Sequence, residues 1–200
     1  MDTAEITAQF GLKAKVLFIF RHGYKASDNH ITLECLQDIM KNGVPGAAPN
    51  INVIHLGSEF VRTRETVEAL VIWLLRNGVK IHERPIPSDY RLGNSEIFGL
   101  YNVETKTNMQ AQGLNNYQAL AQLHPDALKD WKEELEGCME EAFDMLEEGD
   151  VCAVPCHSPT VEAVYNIFSA DGQKDPNMYI KELEGIFLVE DENGNIHIIR

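Results

Sequence analysis

The sequence predicts an α/β fold of three layers, a mostly parallel central sheet with helices on both faces. Short apolar runs alternate with longer segments of helical periodicity, which is typical of strand–helix–strand folds. Two of the apolar runs, residues 14–20 and 151–155, are almost continuously apolar, as expected of parallel strands that are covered on both faces. The chain has 200 residues, the length of one ordinary domain. We therefore expect residues 1–200 to form a single domain.

The first half of the chain supplies two further helices and a strand. A short helix is predicted over residues 33–41, followed by a second strand at residues 51–56. Ser58 is a suitable N-cap for a long helix over residues 59–76. Residues 92–112 contain glycine and asparagine and have weak periodicity, so they are predicted to form a loop.

The second half of the chain continues the alternation of strands and helices. Residues 125–148 are strongly amphipathic, with Trp131 and Leu135 among the apolar positions at helical spacing. A further helix is predicted over residues 158–170, after the strand at 151–155. The sequence DENGN near the C-terminus is a hairpin signal between two short apolar runs, which predicts an antiparallel strand pair at the sheet edge.

Composition and charge narrow the classes of function. The formal net charge of −14 disfavours nucleic acid or an anionic membrane as the main partner. The four cysteines form no CxxC pair, which indicates reduced thiols in a cytoplasmic protein. No basic segment followed by an apolar one begins the chain, so we expect no secretory signal. An anionic substrate would require a local cluster of positive groups.

Two of the seven histidines, His22 and His157, follow closely after the predicted apolar strands. Ligands of open α/β sheets bind at the carboxyl ends of the strands, so we expect both side chains at one binding site. The other histidines lie in loops, helix approaches or edge strands, where a structural or solvated role is expected.

Positively charged groups accompany these histidines. Arg21 precedes the first of them and has a planar guanidinium suited to phosphate oxygens. Gly23 allows the backbone to turn sharply close to a ligand. Ser58, Arg62 and Thr66 are four residues apart on one face of the long helix, near its N-terminus, which favours anions. Two arginines, two histidines and two helix N-termini together suit a phosphoryl group.

Four motifs occur in order between residues 16 and 168: RHG, SEFVRTRETVEAL, RLGNSEIFG and CHSPTVEA. Together they resemble the histidine phosphatase superfamily, also called phosphoglycerate mutase-like. RHG alone is short and weak as a motif, whereas the ordered set is specific. The resemblance implies a phosphoglycerate mutase-like fold and catalysis without a metal or other cofactor.

The resemblance also implies roles for individual residues. His22 matches the nucleophile that forms a phosphohistidine, and Arg62 matches the phosphate-binding arginine. His157 matches the second histidine, which contacts the phosphoryl group, and Arg21 is a further phosphate-binding residue. Attack by a neutral imidazole and stabilisation of the equatorial oxygens by fixed cations agree with these roles.

The general acid is expected to be Glu96, in the motif EIFG. The spacing from glutamate to glycine is compressed relative to the family pattern, and Asp89 in SDYRLG is therefore the alternative. His157 is followed by Ser158 and Pro159, not by the aspartate of the acid-phosphatase and phytase branch. The chain thus resembles the branch that lacks this HD motif.

The expected function is hydrolysis of a phosphate monoester through a phosphohistidine on His22, without a metal. One alternative is a phosphoglycerate mutase-type phosphotransferase, and another is a non-catalytic phosphate-binding module. A metal site at Cys152, Cys156 and His157 is disfavoured, because residues four apart in a strand lie ~13 Å apart.

The expected partner is a small phosphorylated substrate, with a phosphoprotein as a further candidate, and neither nucleic acid nor a membrane. We expect substrate specificity to come from residues 24–28 and 92–122. The sequence leaves the oligomeric state and the identity of the ester open.

Overall fold

The structure, a computed structural model, describes residues 1–26 and 29–200, so Ser27 and Asp28 of the expected specificity segment lie outside it. Its sheet contains the strands β1 (Lys15–Arg21), β2 (Val53–Ile54), β3 (Val151–Cys156), β4 (Gly185–Glu190) and β5 (Ile196–Ile199). The spatial order is β2–β3–β1–β4–β5. β1, β2 and β3 are parallel, β4 is antiparallel to β1, and β5 is antiparallel to β4. Only β4 therefore runs antiparallel to the other four strands, which confirms the mostly parallel sheet.

Helices cover both faces of this sheet. They are α1 (Thr3–Phe10), α2 (Leu33–Asn42), α3 (Val61–Arg76), α4 (Ser95–Gly99), α5 (Val103–Gln112), α6 (Asn116–Leu123), α7 (Pro125–Asp144) and α8 (Thr160–Phe168). The first three pack on one face, and α4 and α6–α8 pack on the other. α5 lies beside α6. The three-layer arrangement is confirmed.

The alternation of side chains along β1 divides the core into two halves. Phe18 and Phe20 belong to the cluster with α1–α3, whereas Leu17 and Ile19 belong to the cluster with α6–α8. All four are almost fully buried. Burial on both faces explains why this strand is continuously apolar.

The prediction of a loop over residues 92–112 is wrong. This part of the chain contains a short 3₁₀ helix at Tyr90–Gly93, then α4 and α5. Asn94 and Asn102 are the N-caps of α4 and α5, and each side chain accepts hydrogen bonds from backbone N–H groups of its helix. Asparagine favours loops and N-caps for the same reason, which is why the sequence predicts a loop where two helices begin.

The beginning of α3 also differs from the prediction. Its N-cap is Phe60, without a side-chain capping hydrogen bond, and not Ser58. α1 is not among the predicted helices, and it begins with a capping box in which Asp2 and Glu5 exchange hydrogen bonds. The predicted hairpin at the C-terminal edge is confirmed as β4 and β5.

The described helices include none that is both long enough and apolar enough to span a membrane. All four cysteines are buried and unpaired with one another.

Candidate active site

The register between β1 and β3 brings the two strand-end histidines together. Arg21, the last residue of β1, is opposite Cys156, the last residue of β3. His22 and His157 therefore leave the sheet at the same level, and the centroids of their rings are 5.0 Å apart. The backbone N–H of His22 donates to the carbonyl of Cys156 at 3.0 Å, which extends the pairing to the histidine itself.

The hydrogen bonds of His22 fix which ring nitrogen carries the proton. Its Nδ1 lies 2.7 Å from the carbonyl oxygen of Gly23, and because a carbonyl can only accept, Nδ1 is protonated. Nε2 accepts from Nε of Arg62 at 2.9 Å. Burial, reinforced by the positive charges of Arg62 and Arg21, lowers the pKa of His22 to about 3. The imidazole is therefore neutral near pH 7, with a lone pair on Nε2.

The turn that carries His22 is held from α2 and α3. The buried N–H of Gly23 donates to Oγ1 of Thr66 at 3.1 Å, and this hydroxyl donates to the carbonyl of Arg62 at 2.8 Å. A Cβ atom on Gly23 would lie 2.7 Å from Sγ of Cys35. The glycine is thus required by the close packing of this turn against α2.

His157 is enclosed by Ser58 and two aromatic rings. Its Nε2 lies 2.6 Å from Oγ of Ser58, and the ring centroids of Phe60 and Phe98 lie at 5.0 and 5.3 Å. Burial, followed by the charges of the site, lowers the pKa of His157 well below its usual value. Its Nδ1 is buried and finds no hydrogen-bond partner within the described part of the chain.

Ser58 is a site residue, although the sequence predicts that it caps a helix. Its hydroxyl lies between His157 and Oγ1 of Thr63, at 2.6 and 3.1 Å. A Cβ on Gly93 would lie 2.7 Å from Cβ of Ser58, so the 3₁₀ helix packs directly on this residue. The signal in the sequence is the position of Ser58 just after a strand, the same position that identified the two histidines.

Arg62 combines a hydrogen bond to the nucleophile candidate with an aromatic contact. Its guanidinium carbon lies 4.6 Å from the centroid of the Phe60 ring, a distance typical of a cation–π interaction. Because Phe60 also contacts His157, one aromatic side chain supports two residues of the site.

Arg21 is held by the segment before β4. Its Nη1 donates to the carbonyl of Ile180 at 3.0 Å and to the hydroxyl of Tyr179 at 3.3 Å. Its Nη2 forms a salt bridge of 2.6 Å with Glu182. Nε is buried and, among the described residues, has no partner. This N–H therefore remains for a ligand.

The structure does not place either candidate acid in contact with the histidines. Glu96 is exposed in the first turn of α4, two residues before Phe98. Asp89 is held by Arg91 through two nitrogen atoms, with contacts of 2.6 to 3.1 Å. Although burial opposes it, the hydrogen bonds and charge of Arg91 lower the pKa of Asp89. Asp89 is therefore a poor proton donor, whereas Glu96 is open to solvent in the helix that carries Phe98.

The cysteines of β3 are core residues. Cys152 and Cys156 are fully buried, and burial raises the pKa of both thiols. In residues 1–26 and 29–200, no three histidine, cysteine or acidic side chains are grouped so that they could hold a metal ion.

His55 follows β2 but has a structural role. It is 2 % exposed, and its Nδ1 accepts from the N–H of Gly57 at 2.8 Å. Burial lowers its pKa to about 4. The position of His55 after a strand is thus not sufficient to place it in the site.

Comparisons with known proteins agree with this architecture. No protein-family model matches the sequence, and no curated protein does. Among solved structures, the crystal structure of phosphoglycerate mutase from Bacillus anthracis str. Sterne matches with a TM-score of 0.56 and 12% sequence identity. The match covers 95% of this chain and 93% of that one. Because the identity is low, the similarity establishes the fold alone: the chain adopts the phosphoglycerate mutase-like fold that its motifs predict.

Proposed function

We propose that this chain is a histidine phosphatase, which hydrolyses a phosphate monoester through a phosphohistidine on His22 without a metal. The observation that carries the proposal is the state of the His22 ring. It is buried, neutral and protonated on Nδ1, and its Nε2 lies beside the guanidinium of Arg62. A neutral imidazole with a fixed tautomer is the form that attacks phosphorus.

In the first step, the Nε–H of Arg62 moves from Nε2 of His22 to a phosphoryl oxygen, the freed lone pair of Nε2 attacks phosphorus, and the bond from phosphorus to the ester oxygen breaks. The ring then carries a positive charge, which the Gly23 carbonyl stabilises through its hydrogen bond to Nδ1. In the second step, a water molecule attacks the phosphohistidine. The nitrogen–phosphorus bond breaks, and inorganic phosphate leaves.

Three N–H donors are assigned to the phosphoryl oxygens. They are the guanidinium of Arg62, Nε of Arg21 and Nδ1 of His157. With the Ser58 hydroxyl as donor to Nε2 of His157, the ring proton lies on Nδ1, the atom that is buried without a partner among the described residues. Preorganised donors of this kind stabilise the charge of the transition state.

Glu96 is proposed as the general acid that protonates the leaving oxygen and then accepts a proton from the attacking water. Its support is its place on α4, which also carries Phe98 against His157, and the ion pair that occupies Asp89. Glu96→Gln should lower kcat most for esters of alcohols with high pKa, because these leaving groups depend most on protonation. An equal loss for good and poor leaving groups would contradict this role.

Hydrolysis of a simple monoester needs fewer cations near His22 than mutase chemistry does. The cations that influence its pKa are Arg62, Arg21 and Lys25, and Arg21 is already paired with Glu182. A small phosphorylated substrate with one anionic group needs no further cations. Phosphoglycerate also carries a carboxylate that would have to be neutralised.

A mutase is the second candidate, because the structurally similar protein is a phosphoglycerate mutase. Incubation with either phosphoglycerate isomer distinguishes the two functions. Release of inorganic phosphate supports a phosphatase, and isomer interconversion without release supports a mutase.

The first experiment is hydrolysis of a generic aryl phosphate in the presence of EDTA. The wild type should be active, His22→Ala should lose turnover, and the control His82→Ala should keep it, since His82 is exposed and lies next to Asp150. Acid-labile phosphate on the wild type, trapped by rapid quench and missing in His22→Ala, would identify the intermediate. Undiminished turnover in His22→Ala would refute the mechanism. Phosphate binding without turnover or trapping would instead indicate a binding module.

A further inference from the structure

Glu162 is a buried acid that the proposed reaction does not use. It lies in α8, in the otherwise largely apolar sequence TVEAVYNIF, and its side chain is 0% exposed. Acidic side chains are almost never fully buried unless they have a specific partner. The contacts of Glu162 therefore indicate why the fold tolerates it.

One oxygen of Glu162 connects two parts of the active site. Oε1 accepts from the hydroxyl of Ser158 at 2.9 Å, and Ser158 directly follows His157. The same oxygen accepts from the backbone N–H of Ile180 at 3.0 Å. The carbonyl of Ile180 in turn accepts from Nη1 of Arg21 at 3.0 Å.

We propose that Glu162 is the positioning residue that fixes His157 and Arg21 relative to each other for phosphate recognition. The inference rests on the proposed function. It assigns to one carboxyl the alignment of two of the donors proposed above, Nδ1 of His157 and Nε of Arg21, both of which are buried without a partner in the described chain. Neither donor touches Glu162 directly, so the residue acts through Ser158 and Ile180.

This role needs the hydrogen-bond acceptor of Glu162 and not its negative charge. Burial raises the pKa of Glu162, although the hydrogen bonds that it accepts and the charge of Arg21 oppose the shift. Its second oxygen, Oε2, is buried and has no partner among the described residues. A glutamine can present one carbonyl oxygen to both Ser158 and Ile180, whereas methionine fills the same space without an acceptor.

The helix offers a matched control one turn later. Asn166 is 4% exposed, and its side chain donates to the backbone carbonyls of Glu162 and Asp175 at 2.9 and 3.1 Å. Asn166→Leu therefore removes one buried and one partly buried hydrogen bond from the same helix and leaves Ser158 and Ile180 untouched. Asn166→Leu and Glu162→Met should therefore lose similar amounts of folding stability.

The test compares Glu162→Met, Glu162→Gln and Asn166→Leu in the full chain, well below the unfolding midpoint of each variant. The readouts are kcat and KM for an aryl phosphate and the affinity for inorganic phosphate. We expect Glu162→Met to lower kcat/KM by about 100-fold, because small displacements of positioned groups have effects of this size. Glu162→Gln and Asn166→Leu should stay within about threefold of the wild type.

A Glu162→Met variant that matches Asn166→Leu in kcat/KM and phosphate affinity would overturn the inference. So would a Glu162→Gln variant as impaired as Glu162→Met, because the role would then require the charge. If Glu162→Met does not fold, Ser158→Ala replaces it in the test, because it removes one of the two hydrogen bonds to Glu162. Unchanged kcat/KM and phosphate affinity in Ser158→Ala would refute the role. If the wild type hydrolyses no ester, the proposed function fails separately, and the affinities for inorganic phosphate decide the inference.

Discussion

Replacement of Thr66 by valine tests whether the geometry of His22 depends on α3. Valine has nearly the shape of threonine, so the change removes one hydroxyl and leaves the packing almost intact. That hydroxyl accepts from the buried N–H of Gly23 and donates to the carbonyl of Arg62. Thr66 is 0% exposed, so water cannot replace the lost acceptor.

The expected loss of stability follows from the donor that is left unpaired. A buried N–H without an acceptor costs about 1–3 kcal/mol. Activity should fall as well, because the carbonyl of Gly23 fixes the tautomer of His22. A turn that shifts by a fraction of an ångström weakens this hydrogen bond, and we expect kcat/KM to fall by about 10-fold.

The assay combines urea unfolding with hydrolysis of an aryl phosphate. Thr66→Ser is the control, because it keeps the hydroxyl and loses only a methyl group. We expect Thr66→Ser to keep kcat/KM within about threefold of the wild type, and Thr66→Val to lose both activity and stability. If Thr66→Val were as active as Thr66→Ser, the hydroxyl would have no part in positioning the nucleophile.

Three further predictions address the site and the fold. Arg62→Lys should lower kcat/KM by about 10²–10³-fold, because lysine keeps the charge but not the planar donors, and unchanged steady-state kinetics would contradict this. Between pH 7 and 5, the wild type should lose about 2 kcal/mol of unfolding free energy relative to His55→Asn, measured in urea. The sign follows because the unfolded histidine takes up a proton near pH 6.5, whereas the folded one has a pKa of about 4. A constant difference between the two proteins would be the contrary result. Gly57→Ala should destabilise by about 3 kcal/mol or more, since its Cβ would lie 2.1 Å from a carbonyl oxygen of β3. Gly78→Ala, also at positive φ but with no atom within 4 Å, should lose only about 1–2 kcal/mol.

The parts of the fold that were predictable are those where local pattern and burial agree. β1 and β3 are buried on both faces, and both appear in the sequence as apolar runs. The amphipathic pattern of α7 marks the face that carries Trp131 and Leu135, both almost fully buried. The convergence of His22 and His157 follows from the parallel pairing of their strands. Their catalytic roles stay predictions.

The parts that were missed depend on contacts between distant segments. Ser58 has the chemistry of an N-cap, but a hydrogen bond to His157, far away in the sequence, determines its position. No local pattern predicts that Glu182 and Ile180 hold Arg21. Glu162 had a weak signal, a single acid in an apolar helix, and its partners become evident only in the folded chain.

The pairing of β1 with β3 has a consequence for how the sequence can change. His22 and His157 are separated by most of the chain, yet the register of two adjacent strands places them side by side. A one-residue insertion within either strand would turn the following side chains to the opposite face of the sheet. Insertions in exposed connections between the strands would leave the two rings where they are. The intervening segment can therefore change in length and specificity during evolution, while the two strands conserve the distance between the histidines.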